Sequence, residues 1–243
     1  MGKILTDSEK TEKYNVNPAR RRRIFERAML VLVGTVLIGL GVTAMRITGW
    51  GVDPCSALAL GLSEVSGLRY SLVLILMNCV LLAVQLTWMR GSFGFGTLVN
   101  AFCVGLTVDF FMMFVESAGI VEVALPVKLL LTTFGIAVVA LGVACFLSAE
   151  MGLAPYDCIA PGIADRLSTG SSFGWIRSVQ DGLFVCAVLA VALIGGVNVF
   201  DLIGINTILI VLFCGPCMQF FKQRLTDPWL ASRGRSSEKA LEQ

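Results

Sequence analysis

The chain has 243 residues, of which 56% are hydrophobic and 15% are charged, and its mean hydropathy is +0.81. Soluble domains carry about a quarter charged residues, so this composition excludes an ordinary soluble domain, a disordered chain and a disulfide-bonded scaffold. The sequence contains no histidine, which removes the most common general base and zinc ligand. We therefore expect a polytopic helical membrane protein that is not an enzyme and that uses neither a metal nor a cofactor.

Six stretches of the sequence are long enough to cross a bilayer, since a spanning helix needs about 20 mostly apolar residues. These stretches cover residues 25–47, 70–89, 96–115, 126–149, 173–195 and 202–221. Two other apolar segments, 54–65 and 155–167, are too short to cross a hydrocarbon core about 30 Å thick. We interpret both short segments as re-entrant or broken half-helices.

Basic residues set the expected orientation of the chain. The N-terminal tail, residues 1–23, ends in the run from Arg20 to Arg23, and the C-terminal tail, residues 223–243, is also polar and basic. With six crossings and both tails in the cytoplasm, sixteen Lys and Arg residues lie inside and three outside. The positive-inside rule favours this arrangement. We expect a multi-pass protein of the cytoplasmic membrane whose arginine run contacts lipid head groups and not nucleic acid.

The membrane region divides into two similar halves, residues 24–119 and 120–222. The matched pairs are Gly34 with Gly135, Gly41 with Gly142, Gly51 with Gly152, Pro54 with Pro155, Asn78 with Asp181, Gly94 with Gly204 and Thr97 with Thr207. Each half has three full helices and one half-helix, and an odd number of crossings inverts the second half relative to the first. Inverted repeats with broken helices are the construction of many transporters, whose binding site lies where the repeats meet.

Glycine and proline mark a break in each half. The segments Gly49–Pro54 and Gly152–Asp157 combine glycines, which permit unusual backbone angles, with a proline suited to the first turn of the next helix. Two such helix N-termini facing each other would attract an anionic or dipolar group. A tight turn that binds nothing is the alternative, and the sequence leaves both open.

At these residues the sequence resembles the YczE-type family of bacterial integral membrane proteins, which are relatives of the YitT group. The resemblance covers about residues 28–222 and is carried by the two breaks and by the run from Gly94 to Asn100, which continues to Gly105 and Asp109. It implies a six-helix protein of the cytoplasmic membrane that acts as a transporter or a regulator, without a defined substrate.

Candidate site residues lie at the breaks and inside the second and fifth helices. Ionisable side chains within a bilayer are costly and usually face a cavity or a partner. We expect the solute pathway to contain Asp53, Pro54, Asn78, Asp157, Arg177 and Asp181. Arg177 precedes Asp181 by four residues, so an ion pair on the surface of the helix is the structural alternative.

Two further patterns are structural in our interpretation. Glycines spaced by seven residues in the first and fourth helices predict close packing between the halves. These glycines are Gly34, Gly41, Gly135 and Gly142. The motif from Cys214 to Cys217 has the spacing of a thioredoxin redox site, but it lies within an apolar span. We interpret it as a helix kink with two incidental thiols.

The sequence thus predicts an all-α protein of two inverted repeats that carries a small solute or an ion across the bilayer. An ion gradient or a partner protein would supply the energy, and a homo-oligomer is compatible with the sequence. Two alternatives stay open. The first is a regulator or anchor that acts through its tails without transporting anything, and the second is a substrate-binding membrane subunit of a larger transporter.

Overall fold

The computed structural model describes residues 18–120, 123–167 and 173–232, and every regular element in these ranges is helical. The helices are α1 (Pro18–Thr48), α2 (Pro54–Ser66), α3 (Tyr70–Trp88), α4 (Phe95–Ser117), α5 (Leu125–Ser148), α6 (Ile159–Leu167), α7 (Phe173–Gly195), α8 (Val199–Leu202) and α9 (Ile205–Phe221). A short turn of 3₁₀-helix, Arg90–Ser92, precedes α4, and a π-helical turn, Lys222–Thr226, extends α9.

Several helices have the length and apolarity that a membrane crossing requires. Within the described ranges the spans that qualify are Arg23–Thr48, Tyr70–Trp88, Phe95–Ser117, Leu125–Ser148 and Val199–Ser232, and the segment Val179–Gly195 of α7 is also apolar. Their outer faces carry exposed apolar side chains, such as Leu130 at 69% exposure and Ile194 at 88%. An apolar surface of this extent matches the hydrocarbon core of a bilayer. The chain is a helical membrane protein.

The helices at both ends of the described region extend beyond the bounds expected from the sequence. The first helix begins at Pro18, so the arginine run lies within its first turns. The last helix continues past residue 222 to Ser232, where a polar tail was expected. A contact explains this extension: Asp227 accepts hydrogen bonds from Lys222 Nζ at 2.8 Å and from Ser148 Oγ at 2.8 Å, which ties the extension to the end of α5.

The second half-helix is shorter than expected. Helix α6 begins at Ile159 and not at Pro155, because residues 155–158 form a turn. In the first half, by contrast, α2 begins directly at Pro54. The Asp53 carboxylate accepts a hydrogen bond from the Ser56 backbone N–H at 3.0 Å, which satisfies a free donor of the first turn.

Helices α1 and α5 pack closely along a seam of glycines. A Cβ atom added at Gly34 would lie 2.6 Å from the Gly142 carbonyl oxygen, and one at Gly142 would lie 2.8 Å from the Gly34 carbonyl oxygen. Gly41 and Gly135 meet in the same reciprocal way, at 2.7 and 3.0 Å. Position numbers rise along one helix as they fall along the other, so the two helices run antiparallel. All four glycines singled out in the sequence lie in this contact.

Substitution in this seam is expected to destabilise the protein. Gly142→Ala should lower the free energy of unfolding by roughly 1–3 kcal/mol, because the added carbon meets the backbone of α1 and forces the helices apart. The measurement is the midpoint of thermal unfolding in one detergent. Gly215→Ala is the matched control, since no atom lies within 4 Å of a Cβ added there. Equal midpoints for the two variants would contradict a close-packed seam.

The two breaks lie at opposite ends of the helix bundle. At one end, Arg27 near the start of α1 pairs with Glu150 just after α5, with the Nη2 and Oε2 atoms 3.1 Å apart. The Gly96 backbone N–H, in the first turn of α4, donates to the Met151 carbonyl oxygen at 2.7 Å. We call this the second-break end of the molecule.

The first break lies where α5 begins. Lys128, in the first turn of α5, holds its ammonium nitrogen 5.8 Å from the centre of the Trp50 ring. The Asn206 backbone N–H, at the start of α9, donates to the Trp50 carbonyl oxygen at 3.0 Å. We call this the first-break end. Helix α1 therefore runs from the second-break end to the first-break end, and α5 runs in the opposite direction.

Candidate functional site

Each break is held by the start of a helix from the opposite half of the chain. In the first break, the Val52 N–H donates to the Leu202 carbonyl oxygen at 3.3 Å, and the Thr207 hydroxyl donates to the Val52 carbonyl oxygen at 2.6 Å. The bond from Asn206 to Trp50 completes the contact. We call these five residues the first junction.

The second break repeats these contacts at equivalent positions. The Leu153 N–H donates to the Ser92 carbonyl oxygen at 2.8 Å, and the Thr97 hydroxyl donates to the Leu153 carbonyl oxygen at 2.8 Å. The bond from Gly96 to Met151 completes the contact. We call these five residues the second junction. Each half of the chain therefore supplies a break to one junction and a helix start to the other.

Each break contains one glycine that no other residue could replace without disturbing the junction. Gly51 has φ +80°, and a Cβ atom there would lie 2.4 Å from the backbone nitrogen of Gly204. Gly152 has φ +110°, and a Cβ atom there would lie 2.6 Å from the backbone nitrogen of Gly94. Side chains other than hydrogen are therefore excluded by both backbone angle and space. This explains the glycine pairs that the two halves share.

A cavity adjoins the second junction, whereas a leucine side chain fills the corresponding space at the first. Leu202 is fully buried in the first junction, where its Cδ1 atom fills the space over Gly61. Ser92, a much smaller residue, stands at the equivalent position of the second junction, and the Met89 side chain packs over Gly162 there. A cavity of about 580 Å³ lies beside these residues. Its walls are formed by Trp88, Met89, Gly91, Ser92, Leu147, Glu150, Gly152, Leu153, Cys158, Gly162 and Arg166.

Asn206 strengthens the first junction further. Its side-chain Nδ2 donates to Thr48 Oγ1 and to the Gly51 carbonyl oxygen, both at 2.9 Å, and its Oδ1 accepts from the Thr132 hydroxyl at 2.8 Å. The second junction has Gly96 at the equivalent position and so lacks any such side chain. The first junction therefore has side-chain hydrogen bonds at this position that the second junction does not have.

Among the described residues that line the cavity, two are charged. Arg166, on α6, donates from Nη2 to the Trp88 carbonyl oxygen at 3.1 Å, and its guanidinium lies 5.4 Å from the centre of the Trp88 ring. Glu150 is paired with Arg27. Glu150 also has φ +50°, a left-handed conformation that is unfavourable for a residue with a side chain, whereas Gly49 stands at the matching position of the first break. A strained residue at a cavity wall points to a functional position.

Gln85 lies against the cavity wall and is fully buried. Its Nε2 atom donates to Ser92 Oγ at 3.0 Å and to the Leu153 carbonyl oxygen at 3.3 Å, and both residues line the cavity. Among the residues that the structure describes, none donates a hydrogen bond to Gln85 Oε1. Sequence reasoning missed Gln85, although a glutamine within an apolar span was a signal that could have found it.

The second break contacts α7 through Tyr156, a residue that the sequence analysis did not select. The Tyr156 hydroxyl donates a short hydrogen bond to Asp181, and Gln180 Nε2 donates to the Tyr156 carbonyl oxygen at 2.9 Å. The Tyr156 ring packs edge-on against Phe184, with centroids 4.8 Å apart. Asp157 follows directly along the chain in the same turn.

The other predicted site residues have structural partners or lie outside the described side chains. Asn78 is buried and donates from Nδ2 to the Ala101 carbonyl oxygen at 3.0 Å, which ties α3 to α4. Asp53 caps α2, and Pro54 occupies the first position of that helix. Arg177 lies on α7, but its side chain is outside the described part, so the proposed pair with Asp181 stays a prediction.

The chain matches, over residues 25–223, the family described as "Family of unknown function (DUF6198)". An uncharacterized protein of Haemophilus influenzae is 25% identical over 199 residues, which cover 81% of this chain and 84% of the relative. The uncharacterized protein YyaS of Bacillus subtilis is 28% identical over 203 residues, covering 84% of this chain and 96% of the relative.

A third relative bears directly on the resemblance seen in the sequence. The uncharacterized membrane protein YczE of Bacillus subtilis is 22% identical over 202 residues, which cover 82% of this chain and 87% of the relative. No solved structure matches the chain significantly. Because the family match covers most of the chain and the relatives include YczE, the resemblance to YczE-type proteins is confirmed, and the chain belongs to the family described as DUF6198.

Proposed function

We propose that the protein is a secondary transporter that carries a small solute across the bacterial cytoplasmic membrane. The observation that carries this proposal is the pair of equivalent junctions at opposite ends of the bundle, of which the first is filled by Leu202 and the second adjoins a cavity. A transporter requires access to a site from each side in turn, and two related gates at opposite ends can provide it.

The arrangement of helices supports an inverted repeat of six crossings and two half-helices. Helix α1 runs antiparallel to its counterpart α5 through reciprocal glycine contacts. The first break contacts the start of α9, and the second break contacts the start of α4. A two-fold axis perpendicular to α1 and α5 would exchange α1 with α5, and it would exchange the first junction with the second. Such an axis, lying in the plane of the membrane, relates the halves of many transporters.

The distribution of basic residues orients the cavity. The positive-inside rule favours both termini in the cytoplasm, and Arg27, near the start of α1, lies at the second-break end beside the cavity. The three residues expected outside, Arg46, Arg69 and Lys128, lie in or next to elements at the opposite end. The cavity would therefore open to the cytoplasm, and the Leu202 side chain would close the external side.

A matched pair of cysteine substitutions tests this proposal. Ser92→Cys and Leu202→Cys occupy equivalent positions in the two junctions, and each is made in a variant whose eight natural cysteines are replaced. A membrane-impermeant thiol reagent is then applied to intact spheroplasts and to inverted vesicles. We expect rapid labelling of Ser92→Cys from the cytoplasmic side, and slower labelling of Leu202→Cys from the external side whenever the first junction opens.

Arg69→Cys, in an exposed turn at the first-break end, is the control for external labelling. If Leu202→Cys stays protected from both sides under all ionic conditions, the first junction does not open and transport by alternating access is contradicted. A substrate-binding subunit of a larger transporter would show a protected Leu202→Cys together with a reactive Ser92→Cys. If the protein is instead a regulator that acts through its tails, neither substitution should change its regulatory activity.

A further inference from the structure

The cavity at the second junction has walls suited to an organic molecule with an apolar body. Trp88, Leu147 and Leu153 contribute large apolar side chains, and Met89 contributes a flexible one. Its volume of about 580 Å³ lies within the range of small-molecule sites, which is roughly 300–1,000 Å³. The apolar walls disfavour a bare inorganic ion, because such an ion would lose its hydration without polar replacements.

The charges at the cavity determine which polar group of a bound molecule is favoured. Among the described lining residues, Glu150 and Arg166 are charged, and the pairing of Glu150 with Arg27 neutralises the carboxylate. Arg166 uses one of its five N–H groups to donate a hydrogen bond to the Trp88 carbonyl oxygen. In the described part of the chain no carboxylate lies within ion-pair distance of Arg166, so its guanidinium gives the cavity a net positive charge.

We propose that this cavity binds a small organic anion, with its carboxylate on Arg166 and its apolar body against Trp88 and the leucines. This inference names the substrate class of the transport proposed above and rests on that proposal. The Trp88 ring holds the guanidinium by a cation–π contact and the Trp88 carbonyl fixes one edge of it, so the remaining donors are oriented before the ligand arrives. A planar guanidinium matches the two oxygens of a carboxylate.

Three probes of equal size and different charge test the ligand class. The purified chain in lipid nanodiscs is titrated calorimetrically with 4-phenylbutyrate, 4-phenylbutanol and 4-phenylbutylamine, and the heat of partition into empty nanodiscs is subtracted. We expect the anion to bind saturably and about tenfold or more tightly than the alcohol and the amine, because only the carboxylate can form a bidentate ion pair with the guanidinium. An alcohol or amine that binds as tightly as the anion would overturn the proposal, as would no saturable binding of the anion.

Variants locate the effect at the cavity. Arg166→Gln should remove the preference for the anion, whereas Arg166→Lys should retain part of it. Arg27→Gln should also weaken binding of the anion, because it leaves the Glu150 charge uncompensated beside the ligand. Arg69→Gln, a loss of the same charge at the first-break end, should leave the affinity unchanged. A preference that survives both Arg166→Gln and Arg27→Gln would place the anion elsewhere and contradict this site.

The two proposals fail in different ways. Selective binding of the anion together with a permanently protected Leu202→Cys would keep the ligand class and reject transport. Labelling of Leu202→Cys from the external side without any selective binding would keep alternating access and reject the anionic ligand.

Discussion

Replacing Gly152 with alanine is expected to lower the free energy of unfolding by about 3 kcal/mol or more. Two effects add at this position. The backbone at φ +110° is strained for any residue with a Cβ atom, which costs roughly 1–3 kcal/mol. The new Cβ atom would also lie 2.6 Å from both the Gly94 nitrogen and Thr97 Oγ1. Relief of this overlap would separate the second break from α4 and cost a further 1–3 kcal/mol or so.

The measurement is the midpoint of thermal unfolding in detergent. It is obtained from the fraction of protein that stays monodisperse after heating to a series of temperatures. A loss of this size should lower the midpoint by roughly 6–12 °C. Gly182→Ala is the matched control, because it lies inside a helix with no atom within 4 Å of the added Cβ. We expect it to be neutral or slightly stabilising. A Gly152→Ala midpoint within 2 °C or so of the control would contradict the close contact at the second junction.

The second large effect is expected at Asn206. Asn206→Ala removes the two hydrogen bonds that Nδ2 donates at 2.9 Å and the one that Oδ1 accepts at 2.8 Å, and it leaves the buried Gly51 carbonyl oxygen without that donor. A hydrogen bond between helices in a bilayer contributes on average about 0.6 kcal/mol and at most about 1.7 kcal/mol. With three bonds lost in one buried place, we expect a destabilisation of roughly 2–4 kcal/mol.

Asn78→Ala is the control for the Asn206 substitution, since it removes the same atoms from another buried position where one bond joins α3 to α4. Its expected cost is about 1 kcal/mol. The midpoint of thermal unfolding should therefore fall further for Asn206→Ala than for Asn78→Ala. The same order should appear in labelling, because a weakened first junction exposes Leu202→Cys more often. Equal midpoints for the two variants would show that Asn206 does not hold the first junction.

Local sequence signals were sufficient to predict most of the helices and both breaks. Apolar runs of about 20 residues predict spans wherever they occur, because a helix in lipid must satisfy its own backbone. The first break was placed correctly because Pro54 both begins α2 and follows a capping aspartate. The second half-helix was placed too early, since a proline marks where a helix can begin and does not compel it to begin there.

The sequence could not identify the partners of its isolated polar residues, for a physical reason. An isolated polar residue in an apolar span signals a partner but does not identify it. Asn78 and Asp53 proved to satisfy backbone groups close to them. Gln85 bonds Leu153 and Arg166 bonds Trp88 only because the fold brings α3 against the second break and against α6. Distances of this kind depend on tertiary packing, which one sequence does not encode in its spacing.

The sequence by itself determined that this is an α-helical membrane protein and predicted two related halves, because composition, span length and the Gly–Pro pattern follow from the chemistry of the bilayer and the backbone. Only the tertiary structure decided how the halves use those shared residues. The matched pairs Gly51–Gly152 and Gly94–Gly204 look alike in sequence, yet each break contacts the helix start of the other half. The burial of Leu202 at the first junction and the cavity beside Ser92 at the second are also visible only in the fold, because a side chain fills a space only when its neighbours are in place.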